Sequence, residues 1–417
     1  MDLTEFNPWW ETGDIDKEIQ NFKRRYLFKK LKENLQRRHI DIIVGLRRVG
    51  KTVLMHHLIS HLLKYVDPKE IFYFSFDLER KDLAKVIREY EEKILKDRIR
   101  DRNAYLFFDE IHKLSDWESK VKVLYDLNLK AKIILSGSAS LNLMRQSGES
   151  LAGRARFHHM SPLTFREFLE FNNEKIPERD FEIHERRLAI LLNRFILRGF
   201  PETLNMSEKE IKGYVRELII ERIIYRDIPE NFRVEDTEVV KTLAEYIFRN
   251  PGVILNVDSL SRDLGRHKRT VRNALNYLEL FFLIKRVGNL RGGFLAESRK
   301  NKKAYPLHTS LSLTKDDDRV LETLIRSETN ARYYWRKGGF EVDFVLKNDK
   351  TTPIEVKNKD RIDRGDIKGL MKFLTAFGVE RGYLVTKEVD EEIVENDKKI
   401  VVTPVTKFIL LFSSQLP

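Results

Sequence analysis

Over the first third of the chain, short apolar runs alternate with amphipathic stretches. Ile40–Val44, Ile71–Phe76, Tyr105–Phe108 and Ile133–Leu135 are too short for helices and show little polar alternation, which predicts strands buried on both faces. The stretches 51–65 and 80–96 between them carry helical spacing, and this alternation predicts a parallel α/β sheet. Past Pro162 the pattern turns helical through 164–172, 182–198 and 207–226, with a boundary predicted between Pro229 and Asp236. Helices and a basic, glycine-containing segment fill 237–310. Beyond 320 a helix precedes strands at 342–346, 353–356, 382–385 and 400–404. The expected domains are 1–162, 163–235, 236–310 and 311–417.

Composition narrows the class. A chain of 417 residues has room for two or three domains at about 150 residues each. With no cysteine, disulfides, iron–sulfur clusters, thiolate zinc sites and cysteine nucleophiles are excluded. The longest dense apolar run, Leu278–Ile284, is far short of a membrane span, and the N-terminus Met1-Asp2-Leu3-Thr4-Glu5 lacks a charged-then-apolar signal. A cytoplasmic protein without a membrane partner is expected. Only four glutamines against many Lys, Glu and Arg suit a thermophile. The net charge of +12 points to a polyanionic partner.

The sharpest motif is Gly45-Leu46-Arg47-Arg48-Val49-Gly50-Lys51-Thr52, which fits G-x-x-x-x-G-K-[ST] between a predicted strand and a predicted helix. Glycines let backbone N–H groups face phosphates, and the helix N-terminus favours the anion. Lys51 is expected at the β- and γ-phosphates of ATP, Thr52 at Mg²⁺, and Val53 beside the bound nucleotide. The strand Ala104–Phe108 ends in Asp109-Glu110, where Asp109 is placed to hold Mg²⁺ and Glu110 to polarise the attacking water. Ser136, after a third strand, either senses the γ-phosphate with Ser138 or belongs to an ordinary polar turn.

Gly45–Thr52, Asp109-Glu110-Ile111, Leu135–Ser138 and Leu151-Ala152-Gly153-Arg154 followed by Ser161-Pro162-Leu163 together resemble the archaeal and bacterial AAA-superfamily ATPases. The resemblance implies a P-loop ATPase core at 1–162, a helical lid or connector at 163–235, a winged helix at 236–310 and a C-terminal nuclease-like domain. It also implies that Arg154 stabilises transition-state charge, in cis or across the subunits of a homo-oligomer.

Residues 256–284 carry helix-turn-helix spacing, with Val257, Leu260 and Leu264 on one helix face and Val271, Leu275 and Leu278 on the next. The second helix presents His267, Lys268, Arg269, Arg272, Asn273 and Asn276, side chains suited to phosphates and base edges. Lys285–Lys303, with Gly288, Gly292 and Gly293, reads as a wing hairpin. Between Arg262 and Lys303 twelve Lys and Arg face three acids, a net +9 in 42 residues, which is an electrostatic footprint for DNA.

Near the C-terminus, Glu355 and Lys357 share one face of a strand, and Asp343 lies on the strand before it. Two carboxylates would bind a divalent cation, with Glu322 from the preceding helix completing the shell. This D-(x)11-E-x-K pattern with an upstream helical Glu resembles the PD-(D/E)xK nuclease fold, with Val342 where the proline would stand. The resemblance implies Mg²⁺- or Mn²⁺-dependent cleavage through Asp343, Glu355 and Lys357. The expected fold is therefore α/β: a P-loop NTPase parallel sheet with helical lid, then a winged helix, then a PD-(D/E)xK nuclease-like domain. Two functions follow: an ATPase that binds and cuts DNA (branched, flapped or single-stranded), or an ATP-switched regulatory protein whose nuclease-like domain is silent.

Overall fold

The computed structural model describes residues 2–79, 81–127, 130–137, 151, 153–234, 236–291 and 301–413. Ser138, Ala152 and the glycines Gly292 and Gly293 of the expected wing lie outside the described residues. The chain divides into two compact units, 1–162 and 163–417.

In the first unit, β1 (Ile40–Val44), β2 (Ile71–Ser75), β3 (Tyr105–Asp109), β4 (Lys132–Gly137) and β5 (Ala155–His159) form a parallel sheet in the order β2-β3-β4-β1-β5. The first four strands are buried along their whole length, as unbroken apolar runs require. β5 was not visible in the pattern: its sequence, Ala-Arg-Phe-His-His, is polar because it lies at the sheet edge and only His158 is buried. One polar residue interrupts β1, and the neighbouring strands answer it. Asp41 receives Lys132 Nζ from β4 at 2.5 Å and lies 2.6 Å from His158 Nε2 on β5. Those partners hold its carboxyl below the usual range against the opposing effect of burial.

The N-terminal segment covers the opposite edge. Asn7 brackets Tyr73, donating to its carbonyl at 3.0 Å and accepting from its N–H at 2.7 Å. The indoles of Trp9 and Trp10 both donate to the Ile71 carbonyl, at 3.1 and 3.0 Å. The tryptophan pair therefore satisfies the edge of β2 and packs into the core, Trp10 stacking on Phe72 and Tyr90.

The second unit is built on one mixed sheet of nine strands. Its strands are β6 (Val253–Ile254), β7 (Ile284–Asn289), β8 (Lys303–Pro306), β9 (Tyr333–Lys337), β10 (Phe340–Lys347), β11 (Thr351–Val356), β12 (Arg381–Thr386), β13 (Glu391–Glu395) and β14 (Lys398–Pro404). They run in the order β13-β14-β12-β11-β10-β9-β7-β8-β6. The sheet passes without a break through the expected boundary at 310, because β7 pairs with β8 on one side and with β9 on the other. The helical stretch 163–235, expected as a helical lid or connector, belongs to this unit. Phe165, Phe168 and Phe195 share a core with Phe344, Ile354 and Phe408, and the Phe165 N–H donates to Glu328 at 2.9 Å. An apolar helix face has to be buried somewhere, and here the mixed sheet provides the surface.

Candidate functional site

Parallel register brings the C-terminal ends of β1, β3 and β4 level, with Val44 opposite Gly137 and Phe108 opposite Leu135. Gly45 to Gly50 turn from β1 into the helix Lys51–Leu62. Gly45 is demanded by packing: a Cβ there would lie 2.2 Å from the Met160 carbonyl oxygen, where the chain leaves β5. Gly50 has φ +95°, a conformation suited to glycine. The buried Arg25 braces the loop from outside, donating to the Val49 carbonyl at 2.6 Å and the Ser161 carbonyl at 2.8 Å.

Asp109 ends β3 and gathers three hydroxyls. Thr52 Oγ1 donates to its Oδ2 at 2.7 Å, Tyr73 OH to the same oxygen at 2.9 Å, and Ser136 Oγ to Oδ1. Thr52 and Asp109 are thus already adjacent, the hydroxyl–carboxylate pair that suits a hard divalent cation. Ser136, open between sensor and turn in the sequence, is tied directly to the acid. Glu110 follows in the left-handed region (φ +50°), an uncommon backbone for a non-glycine residue. Its N–H is held by Asp109 Oδ1 at 3.1 Å and Ser136 Oγ at 3.3 Å. Burial pushes the Glu110 carboxyl above the ordinary range; Lys51 opposes this and the Asp109 charge adds to it.

Lys51 is buried at the loop mouth. Its Nζ donates to the carbonyls of Gly45 (3.2 Å) and Leu46 (2.9 Å) and lies 4.0 Å from Glu110. Arg47 and exposed Arg48 are on the loop, Val53 on the first helical turn beside Thr52.

Arg154 is not at this site. Its carbonyl accepts from Ile40 N–H, which places it level with the start of β1, and its guanidinium pairs with Asp126 at 3.0 Å. The phosphate loop is at the other end of that five-residue strand, about 16 Å away at strand rise, so of the two readings, in cis or across subunits, this distance counts against the first.

In the second unit the helices Val257–Asp263 and Lys268–Leu280 form the expected pair, followed by β7 and β8. His267 caps the second helix, its Nδ1 accepting from Arg269 N–H at 3.1 Å. Lys268, Arg269, Arg272 and Asn276 are exposed and Asn273 is half-buried. Lys268 pairs with Asp258 at 2.6 Å, and Asn276 accepts from Arg286 at 2.9 Å.

The C-terminal acids do meet. β10 carries a bulge between Val342 and Val345, and Asp343 comes to lie against Glu355 of β11. Asp343 N–H donates to Glu355 Oε2 at 3.2 Å, and Val356 N–H donates to Asp343 Oδ2 at 3.0 Å. Lys357 Nζ donates to Glu355 Oε1 at 2.7 Å, and Glu322 accepts from Tyr305 OH at 2.8 Å. Burial, and secondarily the charge of Asp343, pushes Glu322 up to about 7 and Glu355 up to about 8. Sequence reasoning missed the resident cation: Lys303 Nζ on β8 lies 2.5 Å from Glu341 Oε1 and 3.6 Å from Asp343 Oδ1. Lys303, counted with the basic DNA face, is instead buried among acids. Among the described residues, no group of three or more His, Asp or Glu side chains is placed to hold a metal ion.

The sheet order, the phosphate loop and the Thr52–Asp109–Glu110 arrangement define a P-loop nucleoside-triphosphatase domain. Residues 37–169 match the family model described as an AAA domain, so this segment is an AAA-type P-loop ATPase domain. Residues 190–316 and 318–408 match two models described as domains of unknown function, DUF8612 and DUF4143. An uncharacterized protein of Methanocaldococcus jannaschii is 27% identical over 336 residues, 76% of this chain and 74% of that protein. An uncharacterized Haemophilus influenzae protein is 24% identical over 63% of this chain and 66% of its own length. Among solved structures, the Aeropyrum pernix ORC1 protein in complex with DNA aligns at 14% identity and TM-score 0.33, over 76% of this chain and 96% of that one. The Saccharomyces cerevisiae Hsp104–ADP complex aligns at 17% identity and TM-score 0.33, over 67% of this chain and 40% of that one. No helix among the described residues is long and apolar enough to cross a membrane.

Proposed function

We propose that the chain is an ATP-hydrolysing switch that binds DNA, its affinity for DNA set by the nucleotide state of the first unit. The observation that carries the ATPase half is the convergence of Thr52, Ser136 and Tyr73 on Asp109 beside the strained Glu110. Thr52 and Asp109 would hold Mg²⁺, which when bound neutralises phosphate charge. Lys51 exchanges its carbonyl partners for phosphate oxygens, and the loop N–H groups orient the chain of phosphates. Glu110, with a raised proton affinity, accepts the proton of the attacking water.

The DNA half is supported by the order of the described elements from Thr237 to Pro306, helix–strand–helix–helix–strand–strand, which resembles that of a winged helix. Arg269 and Arg272 stand on the exposed face of the helix that such a fold lays into the major groove. Cleavage of that DNA is no part of the reading, since the acids expected to hold the metal are not arranged for one.

The test is anisotropy of labelled duplex, single-stranded and branched DNA with the full chain, in ATP–Mg²⁺ and in ADP. Affinity is expected to differ by about fivefold or more between the two states on at least one substrate. Replacing Lys268, Arg269 and Arg272 together with Ala should lower the salt slope by up to about three units, one per phosphate contact. Equal affinity in both nucleotides, or an unchanged slope, overturns the corresponding half.

A further inference from the structure

Glu341 and Asp343 of β10 receive a lysine from outside their own hairpin, with Glu355 of β11 bonded to Asp343 and Glu322, on the helix Asp317–Thr329, bonded to Tyr305. Lys303 and Tyr305 are two apart on β8, so both side chains leave the same face of the strand. Both enter the cluster: Lys303 reaches Glu341 and Asp343, and Tyr305 OH donates to Glu322. We propose that the Lys303 ammonium permanently occupies the place a divalent cation takes in nuclease-like sites of this design, so the cluster is a metal-free structural centre with Lys303 as its cation.

Two observations support it. First, Lys303 is held. It is 8% or less exposed, its backbone pairs with Val287 and with Ile254 on the two sides of β8, and its Nζ lies 5.3 Å from the centroid of Tyr334. Lysine is costly to bury uncharged or unpaired, and here two carboxylates, Glu341 and Asp343, face its ammonium. Second, each acid already has a protein donor. Glu341 takes Lys303 and Arg336, Asp343 takes Val356 N–H, Glu322 takes Tyr305, and Glu355 takes Lys357 and Asp343 N–H. A divalent cation draws carboxylate and water oxygens to roughly 2.0–2.6 Å, and these carboxylates are turned toward protein donors instead.

Mn²⁺ titration calorimetry on the full chain tests this, with Asp343→Asn as the reporter for the cluster and nucleotide omitted. The parent and its Asp343→Asn variant should titrate alike, because no Mn²⁺ reaches the cluster. Lys303→Ala should gain one Mn²⁺ site that Lys303→Ala/Asp343→Asn lacks, and Mn²⁺ should raise its melting temperature. Lys303→Gln repeats the comparison with less lost volume. A parent site that disappears with Asp343→Asn overturns the proposal, as does a folded Lys303→Ala or Lys303→Gln protein that gains no Mn²⁺ site. If neither Lys303 variant folds, the comparison of parent with Asp343→Asn decides alone: equal titration supports the proposal and a lost site ends it.

Discussion

Each unit of this protein contains a carboxylate centre with a buried lysine beside it, and the two lysines are used in opposite ways. In the first unit Lys51 turns to the backbone carbonyls of Gly45 and Leu46 and stays 4.0 Å from Glu110, while hydroxyls satisfy Asp109. Carbonyl bonds are neutral and exchangeable, so the ammonium can be transferred to a phosphate without stranding an acid. In the second unit Lys303 makes a direct ion pair inside the acid cluster, and removing it would leave buried charge uncompensated. The same residue types thus make one centre open to a ligand and one closed upon itself. What separates them is which partner the lysine already has.

The comparison is broken most forcefully through Lys51. Lys51→Ala should lower ATP turnover by about a hundredfold or more and weaken nucleotide binding, because the lysine charge is applied to the phosphates. Glu110→Gln should slow turnover by about 10²–10⁴-fold yet keep nucleotide affinity, since its task is on the water. Steady-state turnover beside nucleotide titration separates the two; full activity of the Lys51 variant would remove the open centre.

A smaller effect tests the closed centre by pH. Glu322 and Glu355 hold protons in the folded chain at pH values where the unfolded chain has released them. Their contribution to stability is therefore fully present below about pH 4.5, falls as pH rises, and levels off above about pH 8. The slope is at most about 1.4 kcal/mol per pH unit for each group. Glu355→Gln cannot titrate, so its melting temperature should fall less between pH 5 and pH 8 than that of the parent. Parallel curves would mean that Glu355 ionises in the folded protein as it does in water.

The smallest expected effect checks that the two centres work separately. Asp343→Asn should change ATP turnover by less than about twofold, because independent sites contribute additively. A tenfold loss would show that the closed centre reports to the open one.

Much of the open centre was legible before the structure. A phosphate loop is a local motif whose glycines, lysine and threonine act within one strand–turn–helix, and the acid pair closes an unmistakable apolar strand. The elements missed were those with weaker internal contrast. β9 carries Tyr333-Tyr334-Trp335 before Gly338-Gly339, a two-glycine turn with φ +59° and +82°, and that signal was available. β13 is a charged edge strand, Glu391–Glu395, marked only by the Asn396-Asp397 turn with both residues at positive φ. Arg154 was placed by resemblance alone: β5 is an edge strand without an apolar run, and the sequence offered no sign that the residue before it sits at the far end of the sheet.

Glu322, Asp343, Glu355 and Lys357 were each placed on the right kind of element by side-chain period, yet their chemistry was decided elsewhere. Lys303 lies 40 residues from Asp343, in a stretch whose composition assigned it to a basic surface. Composition and periodicity determine which residues share a strand or a helix face, since those depend on neighbours a few positions apart. Only the pairing of β7 with both β8 and β9 brought Lys303 and Tyr305 across to the acids. Whether an acid cluster faces a metal or a lysine depends on which strand arrives beside it, and strand order in a mixed sheet is settled by long-range packing.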